Sequence, residues 1–230
     1  MMKLLLISDI HGNKEAFDAV LKIPHDEVIC LGDIADYGPS PAECIDIIRS
    51  RNIETVLGNH DAAVGTGIDC GCGYKYKHLS TSTREYTWSC LEEEHLTFLR
   101  KLPFKLEKIV DGHRLYFTHG SPRSNFEYIL PETSDKEILE MLEGVNADIL
   151  FTGHSHKAMI RVVNDVMLIN PGSVGQPRDG NPLASCAVFD TETLEAEIIR
   201  CEYDLESTCR CISEKMSNSE ELVSILKRGY

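Results

Sequence analysis

Five short apolar runs, each ending in a polar cluster, constrain this chain more than any other feature. KLLLIS (residues 3–8) runs into Asp9-Ile10-His11, EVICL (27–31) into Gly32-Asp33 with Asp36 close behind, and ETVL (54–57) into Gly58-Asn59-His60-Asp61. RLYFT (114–118) runs into His119-Gly120, and DILFT (148–152) into Gly153-His154-Ser155-His156. Short apolar runs bounded by turn residues read as buried strands. Between them lie amphipathic stretches that read as helices, over residues 13–21 with Asn13 as N-cap, 42–51, 80–89, 92–100 and 135–142. Strands alternating with helices imply an α/β fold. In such sheets ligands bind beyond the carboxyl ends of the strands, where loops converge, and glycine lets the chain turn sharply enough to get there.

Taken singly, each cluster is also ordinary turn chemistry, because Asp, Asn and Gly dominate turns. Asp9 alone would pass for a helix cap and Gly32-Asp33 for a turn. Five clusters at equivalent strand ends are another matter, since turns have no need of so many histidines. The donors are carboxylate, imidazole and amide without thiolate, which suits first-row ions such as Mn, Fe, Ni, Co or Zn rather than calcium. There are donors enough for two ions. Two cations held close together need a carboxylate between them, and Asp33 is the natural candidate.

The rest of the chain adds little chemistry. Asp111-Gly112 and Asn164-Asp165 each separate two apolar runs and mark hairpins, and residues 184–190 and 194–201 form a further strand pair. Residues 65–73 have no periodicity and read as a loop. From Asp204 onward the chain is polar and helical, with Ser219 as the cap of a last helix over 220–227. No repeat or linker interrupts it, so residues 1–230 are expected to form a single domain.

Composition excludes more than it assigns. The net charge of −14, from 23 basic and 37 acidic side chains, lacks the basic footprint of a nucleic-acid binder. A phosphate-bearing substrate would need local attraction, which bound cations provide. Leu4 to Ile7 form the apolar run before Asp9 intervenes, too short for a signal-peptide core or a membrane span. A cytoplasmic protein is expected. The nine cysteines are an odd number, which argues against a disulfide framework. Cys70-Gly71-Cys72 and Cys209-Arg210-Cys211 together offer four thiolates, but a one-residue gap is not the usual spacing of structural zinc sites. Ordinary reduced thiols are expected.

Asp9-Ile-His11, Gly32-Asp33-Ile-Ala-Asp36, Gly58-Asn59-His60-Asp61, His119 and Gly153-His154-Ser155-His156 occur in the order of the calcineurin-like metallophosphoesterases, and the chain resembles that family. The Asn170-Pro171-Gly172-Ser173 stretch and the compact length are similar to its small bacterial and archaeal phosphodiesterase branch. The resemblance implies a four-layer α/β/β/α sandwich of two mixed β-sheets flanked by helices, with a dinuclear centre at the edge formed by the strand C-termini. It implies one ion on Asp9, His11, Asp33 and His156, and a second on Asp33, Asn59, His119 and His154. Manganese stands first among the expected ions. His60 is then not a ligand but faces the phosphate or the leaving group.

Asn59 would add a neutral oxygen donor where an anion must bind. His60 would stabilise developing charge or protonate the leaving oxygen. Asp61 would either orient His60 or serve only as a loop residue. Tyr37 follows Asp36 where phosphoprotein phosphatases continue Asp-Arg-Gly, which argues against a dedicated protein phosphatase. Arg178, in a glycine- and proline-punctuated loop, is the foremost candidate to fork onto phosphate, ahead of Arg123. The expected reaction is hydrolysis of a small phosphate ester, foremost a diester, by in-line attack of a metal-bridging hydroxide. Rival readings are a phosphomonoesterase or protein phosphatase, a dinucleoside polyphosphate hydrolase, a nuclease, and a metal-binding scaffold without activity. The intact Asn59-His60 pair argues against the scaffold, and the negative charge against the nuclease.

Overall fold

Alternation within the first strand sets the layering. The computed structural model describes residues 2–230, and the side chains of all of these except residues 74–76. In β1 (Lys3–Ile7) the side chains from Leu4 to Ile7 are all buried, but successive ones enter different cores. Leu5 and Ile7 face helices α1 (Lys14–Val20) and α2 (Pro41–Ser50), meeting Phe17, Val20, Cys44, Ile45 and Ile48. Leu4 and Leu6 point the opposite way, toward a second sheet.

The first sheet places β2 (Glu27–Cys30) and β3 (Glu54–Thr55) parallel on one side of β1. On the other side β9 (Ala184–Asp190) runs antiparallel to β1, and β10 (Ala196–Cys201) antiparallel to β9, giving the order β10-β9-β1-β2-β3. The second sheet has the order β4-β5-β6-β8-β7. Its strands are β4 (Lys105–Val110), β5 (His113–Thr118), β6 (Ile149–Phe151), β7 (Met159–Val163) and β8 (Val166–Asn170), with β5, β6 and β8 mutually parallel. Leu4, Leu6, Ile29 and Val56 of the first sheet pack on Leu115, Phe117, Ile149, Phe151 and Ile169 of the second. Phe117 and Phe151 stack with ring centroids 4.6 Å apart. Helix α6 (Asp135–Met141) covers the outer face of the second sheet, laying Ile138 and Met141 on Leu150 and Leu168. The result is the expected four-layer sandwich of two mixed five-stranded sheets between helices.

Both hairpins form where the dipeptides place them. Asp111 and Gly112 have φ of 49° and 85°, and Asn164 and Asp165 have 47° and 68°, the left-handed pair that a tight two-residue turn requires. Three expectations shift. Residues 54–57 contribute only a two-residue strand. Asn59-His60-Asp61, expected in the loop beyond the third apolar run, is the first turn of helix α3 (Asn59–Thr66), because the Asp61 carboxylate accepts the orphan N–H of Gly58 at 3.2 Å. The segment read as a helix from residue 80 begins earlier, as α4 (Tyr74–Cys90), followed by α5 (Glu93–Arg100).

The tail forms α7 (Leu205–Lys215) and α8 (Ser219–Arg228), with Asn218 rather than Ser219 in the cap position. Ile212, Leu222, Ile225 and Leu226 from these helices cluster with Leu79 of α4 around Tyr37, roofing one side of the strand ends. Among the described residues no helix is long and apolar enough to cross a membrane.

Candidate metal centre and active site

Side chains from both sheets converge at one edge. Asp9 and His11 follow β1, Asp33 follows β2, Asn59 and His60 open α3, His119 follows β5, and His154 and His156 follow β6. All are buried. Asp9, His11 and His156 form one group of donors that could hold a metal ion, and Asp33, His119 and His154 form a second. The backbone is bent to aim them. Asp9, His11, Asp33, Asp36, Tyr37, His154 and His156 all have φ between 47° and 75°, the left-handed region that non-glycine residues avoid. Such strain, of order 1–3 kcal/mol per residue, persists only where the surroundings over-determine it, and it clusters at functional sites.

The imidazoles are oriented by backbone carbonyls. His11 Nδ1 lies 3.1 Å from the carbonyl of Ala35, His119 Nδ1 2.7 Å from that of Leu31, and His156 Nδ1 2.5 Å from that of Gln176. Each Nδ1 then carries a proton, and Nε2 faces inward, the arrangement that orients metal-ligating histidines. His154 is turned the other way. Its Nε2 meets the Phe126 carbonyl at 3.3 Å, which leaves Nδ1 as its donor, and the Tyr128 ring stacks on it at 3.8 Å.

These donors face one another rather than complementary partners. His11 Nε2 and His156 Nε2 are 3.2 Å apart, two lone pairs with no proton of their own between them. Asp9 Oδ1 and Asp33 Oδ2 are buried without a hydrogen-bond partner, a costly condition for carboxylates. Asp33 Oδ2 lies 3.8 Å from His11 Nε2 and 3.3 Å from His119 Nε2, between the two groups. Burial would raise both carboxyls, but His156 holds Asp9 low and His119 with His60 holds Asp33 well below the ordinary range. Burial would likewise deprotonate His119, yet Asp33 pushes it up to about 9. His11, with burial dominant, falls to about 3. The electrostatics call for positive charge at this position, and the donor set of carboxylate, imidazole and amide fits divalent first-row ions.

Asn59 Oδ1 lies 2.9 Å from His119 Nε2, and its amide donates to the Cys70 carbonyl at 2.7 Å, so the oxygen is the end presented to the site. His60 stands beside the donors, its backbone N–H donating to Asp33 Oδ1 at 2.8 Å. Its Nδ1 meets Asp36 Oδ2 at 2.8 Å. Asp61 is not the group that orients His60. Its carboxylate accepts from the backbone N–H groups of Asp33, Ile34, Ala35 and Gly58, at 2.7, 2.9, 3.4 and 3.2 Å, and so braces the turn that carries Asp33. Burial and the nearby Asp33 push its carboxyl up to about 7, against those donors.

Asp36 is itself held from α4. Arg84 forks onto Oδ2 from Nε at 3.1 Å and Nη2 at 2.8 Å, Ser80 donates to the same oxygen, and Thr83 donates to Oδ1 at 2.7 Å. None of these three stood out in the sequence. Their spacing, i, i+3 and i+4, puts them on one face of α4 and was the available signal.

Arg178 reaches the site's margin, its guanidinium 5.6 Å from the centre of the Tyr37 ring and its Nη2 donating to Gln176 at 2.6 Å. The Tyr37 ring packs on His11 and His60, with centroids 4.9 and 4.8 Å away. Arg123 is exposed and paired with Glu127. All nine cysteines are free, and the donor groups that could hold an ion among the described residues include Cys70 and Cys72 but neither Cys209 nor Cys211, so the four thiols do not assemble.

Known proteins share this arrangement of the chain. The sequence profile of the calcineurin-like phosphoesterase superfamily domain matches residues 2–194. The uncharacterized protein MJ0912 of Methanocaldococcus jannaschii is 34% identical over 226 residues, covering 88% of each chain. Phosphodiesterase YfcE of Escherichia coli K12 is 26% identical over 209 residues, 84% of this chain and 90% of that one. The crystal structure of a metallophosphoesterase from Sphaerobacter thermophilus, 31% identical, superposes with a TM-score of 0.81 over 100% of this chain and 99% of that one.

Proposed function

The chain belongs to the calcineurin-like phosphoesterase superfamily, and on that premise we propose that it is a phosphodiesterase built around two divalent ions. It is an enzyme acting on phosphate esters, of a family that uses divalent metals. In our reading Asp9, His11, Asp33 and His156 hold one ion, and Asp33, Asn59, His119 and His154 hold the other. The observation that carries this is Asp33 Oδ2, buried without a hydrogen-bond partner and set between His11 and His119. Two ions bound there would supply charge neutralisation for the phosphoryl oxygens and a water activated for attack near neutral pH.

The protein's own groups complete the chemistry. His60, buried against Asp36, is the proton donor placed for the departing oxygen. Burial disfavours its charged form, but Asp33 and Asp36 together raise its pKa and keep the proton available near neutrality. Arg178 is the anchor for a distal phosphate oxygen or substrate group at the margin beside Tyr37. A small ester as substrate, rather than a nucleic acid, accords with the net charge of −14. A diester is favoured by the E. coli relative named as a phosphodiesterase. We place the enzyme in the cytoplasm, in keeping with nine unpaired thiols.

The test is hydrolysis of bis-(p-nitrophenyl) phosphate by protein loaded with Mn, Ni or Co. Substituting His60→Ala should lower turnover by roughly 10²- to 10⁴-fold with metal content retained, whereas Asp33→Ala should lose metal. Equal turnover in the His60 variant would remove that residue from the mechanism. Inactivity of the wild type with every ion would return the chain to the non-catalytic scaffold reading.

A further inference from the structure

Beside the two oxygen- and nitrogen-rich groups lies a third whose chemistry differs. A ring nitrogen of His60 and the thiols of Cys70 and Cys72 all lie within 4.8 Å of one another. All three are buried, at 3%, 4% and 8% exposure. The loop between α3 and α4 is folded to bring the thiols together. Gly71 between them has φ of 62°, and a Cβ there would sit 2.7 Å from the Phe126 ring. The Cys72 N–H closes the turn on Cys70 Sγ at 3.4 Å, and Ser80 Oγ stands 3.3 Å from the same sulfur.

We propose that His60, Cys70 and Cys72 form a separate binding site for one thiophilic ion, such as zinc or cadmium, whose occupancy switches the enzyme off. Two sulfurs and an imidazole nitrogen are the donors such ions prefer, and Mn²⁺, the ion placed first at the neighbouring centre, competes poorly for thiolate. In a tetrahedral zinc site with Zn–S near 2.3 Å the two sulfurs stand about 3.8 Å apart, so the loop needs little adjustment and water or Ser80 can take the fourth position. Binding deprotonates the thiols and occupies a His60 nitrogen. Coordination through Nδ1 breaks the contact with Asp36, and coordination through Nε2 takes away the nitrogen left to face a leaving group. Either way His60 no longer delivers a proton. The ion would also fix the loop whose Cys70 carbonyl holds the Asn59 amide. The binding half stands on the donors alone, while the inhibition rests on the role proposed above for His60.

The experiment titrates Mn²⁺-loaded protein with Cd²⁺ in a non-thiol reductant, following the ultraviolet thiolate-to-metal charge-transfer band, bound Mn²⁺ and turnover of bis-(p-nitrophenyl) phosphate. Wild type should develop the band to saturation at one Cd²⁺ per chain, keep its Mn²⁺, and lose turnover on the order of tenfold or more. The Cys70→Ser/Cys72→Ser protein should show no such band, and Cd²⁺ should leave its own starting turnover unchanged. Cys72→Ser alone serves the same comparison if the double variant does not fold. No band in wild type, or the same band in the variant, overturns the site. A full band with unchanged turnover overturns the inhibition and implicates the role of His60 rather than the site.

Discussion

The residue that most changes the reading of this site is Asp36. Its contact with His60 Nδ1 is the one that Asp61 would make under one of its two sequence readings, but the four backbone contacts of Asp61 make it a brace for Asp33. The consequence can be measured. His60 is raised in pKa despite burial because Asp33 and then Asp36 favour its charged form. In the proposed role of acid His60 works only while protonated, so turnover should fall as pH rises through that pKa. Asp36→Asn removes one of the two stabilising charges and should move the alkaline limb of the kcat profile to lower pH. It should also lower kcat by roughly tenfold at neutral pH, with metal content and KM little changed. A uniform loss of activity with an unmoved limb would mean that Asp36 merely holds the fold. Neighbouring residues 59–61 were legible as a functional cluster, but not their division of labour. Asp61 sits next to His60 in sequence, yet one helical residue apart is about 100° around the axis, so the two side chains serve different sides.

At the scale of elements, short turns and one helix face decide whether the donors meet. Gly58, between β3 and α3, has its Cα against the Asp33 turn, so an added Cβ would lie 2.1 Å from Asp33 Oδ1 and 2.3 Å from its backbone nitrogen. Gly58→Ala should therefore cost bound metal, read by elemental analysis. Gly73→Ala, where a Cβ meets nothing within 4 Å, should keep it. Equal metal in both variants would separate Gly58 from the site. Helix α4 has a comparable stake through Arg84, whose fork on Asp36 is almost wholly buried. Arg84→Met leaves a buried carboxylate short of a charge partner and should lower unfolding stability by about 3 kcal/mol in urea, with the slope unchanged. A loss below a few tenths would show that Ser80, Thr83 and His60 suffice. These elements also mark how far the sequence could be read. Each strand-end cluster carries its glycine and its donors within a few residues, so β1, β2, β5 and β6 announced themselves. The grip of α4 on Asp36 joins positions 44 to 48 residues apart, and no local pattern encodes such a partnership.

Across the whole molecule, the proposed centre ties the two sheets together. Asp9, Asp33 and Asn59 come from the first sheet's strand ends, and His119, His154 and His156 from the second's. The apolar interface behind them, from Leu6 and Val56 to Phe117 and Phe151, packs the sheets face to face. At the edge, however, buried carboxylates and inward-facing imidazole nitrogens oppose closure unless positive charge is present. An ion that binds only the folded state stabilises it by RT ln(1 + [L]/Kd), about 4 kcal/mol at a thousandfold excess over Kd. For a chain of this length, 230 residues, each kcal/mol moves Tm by roughly 2–4 °C. Chelation should thus lower Tm on the order of 10 °C by calorimetry, and readdition of Mn²⁺ should restore it in proportion to the logarithm of free ion. Asp33→Ala, lacking the carboxylate common to both groups, should melt at the same temperature with and without chelator. If the wild type melts identically in chelator and in excess Mn²⁺, the converging donors do not hold ions that stabilise the fold, and the dinuclear reading fails at its base.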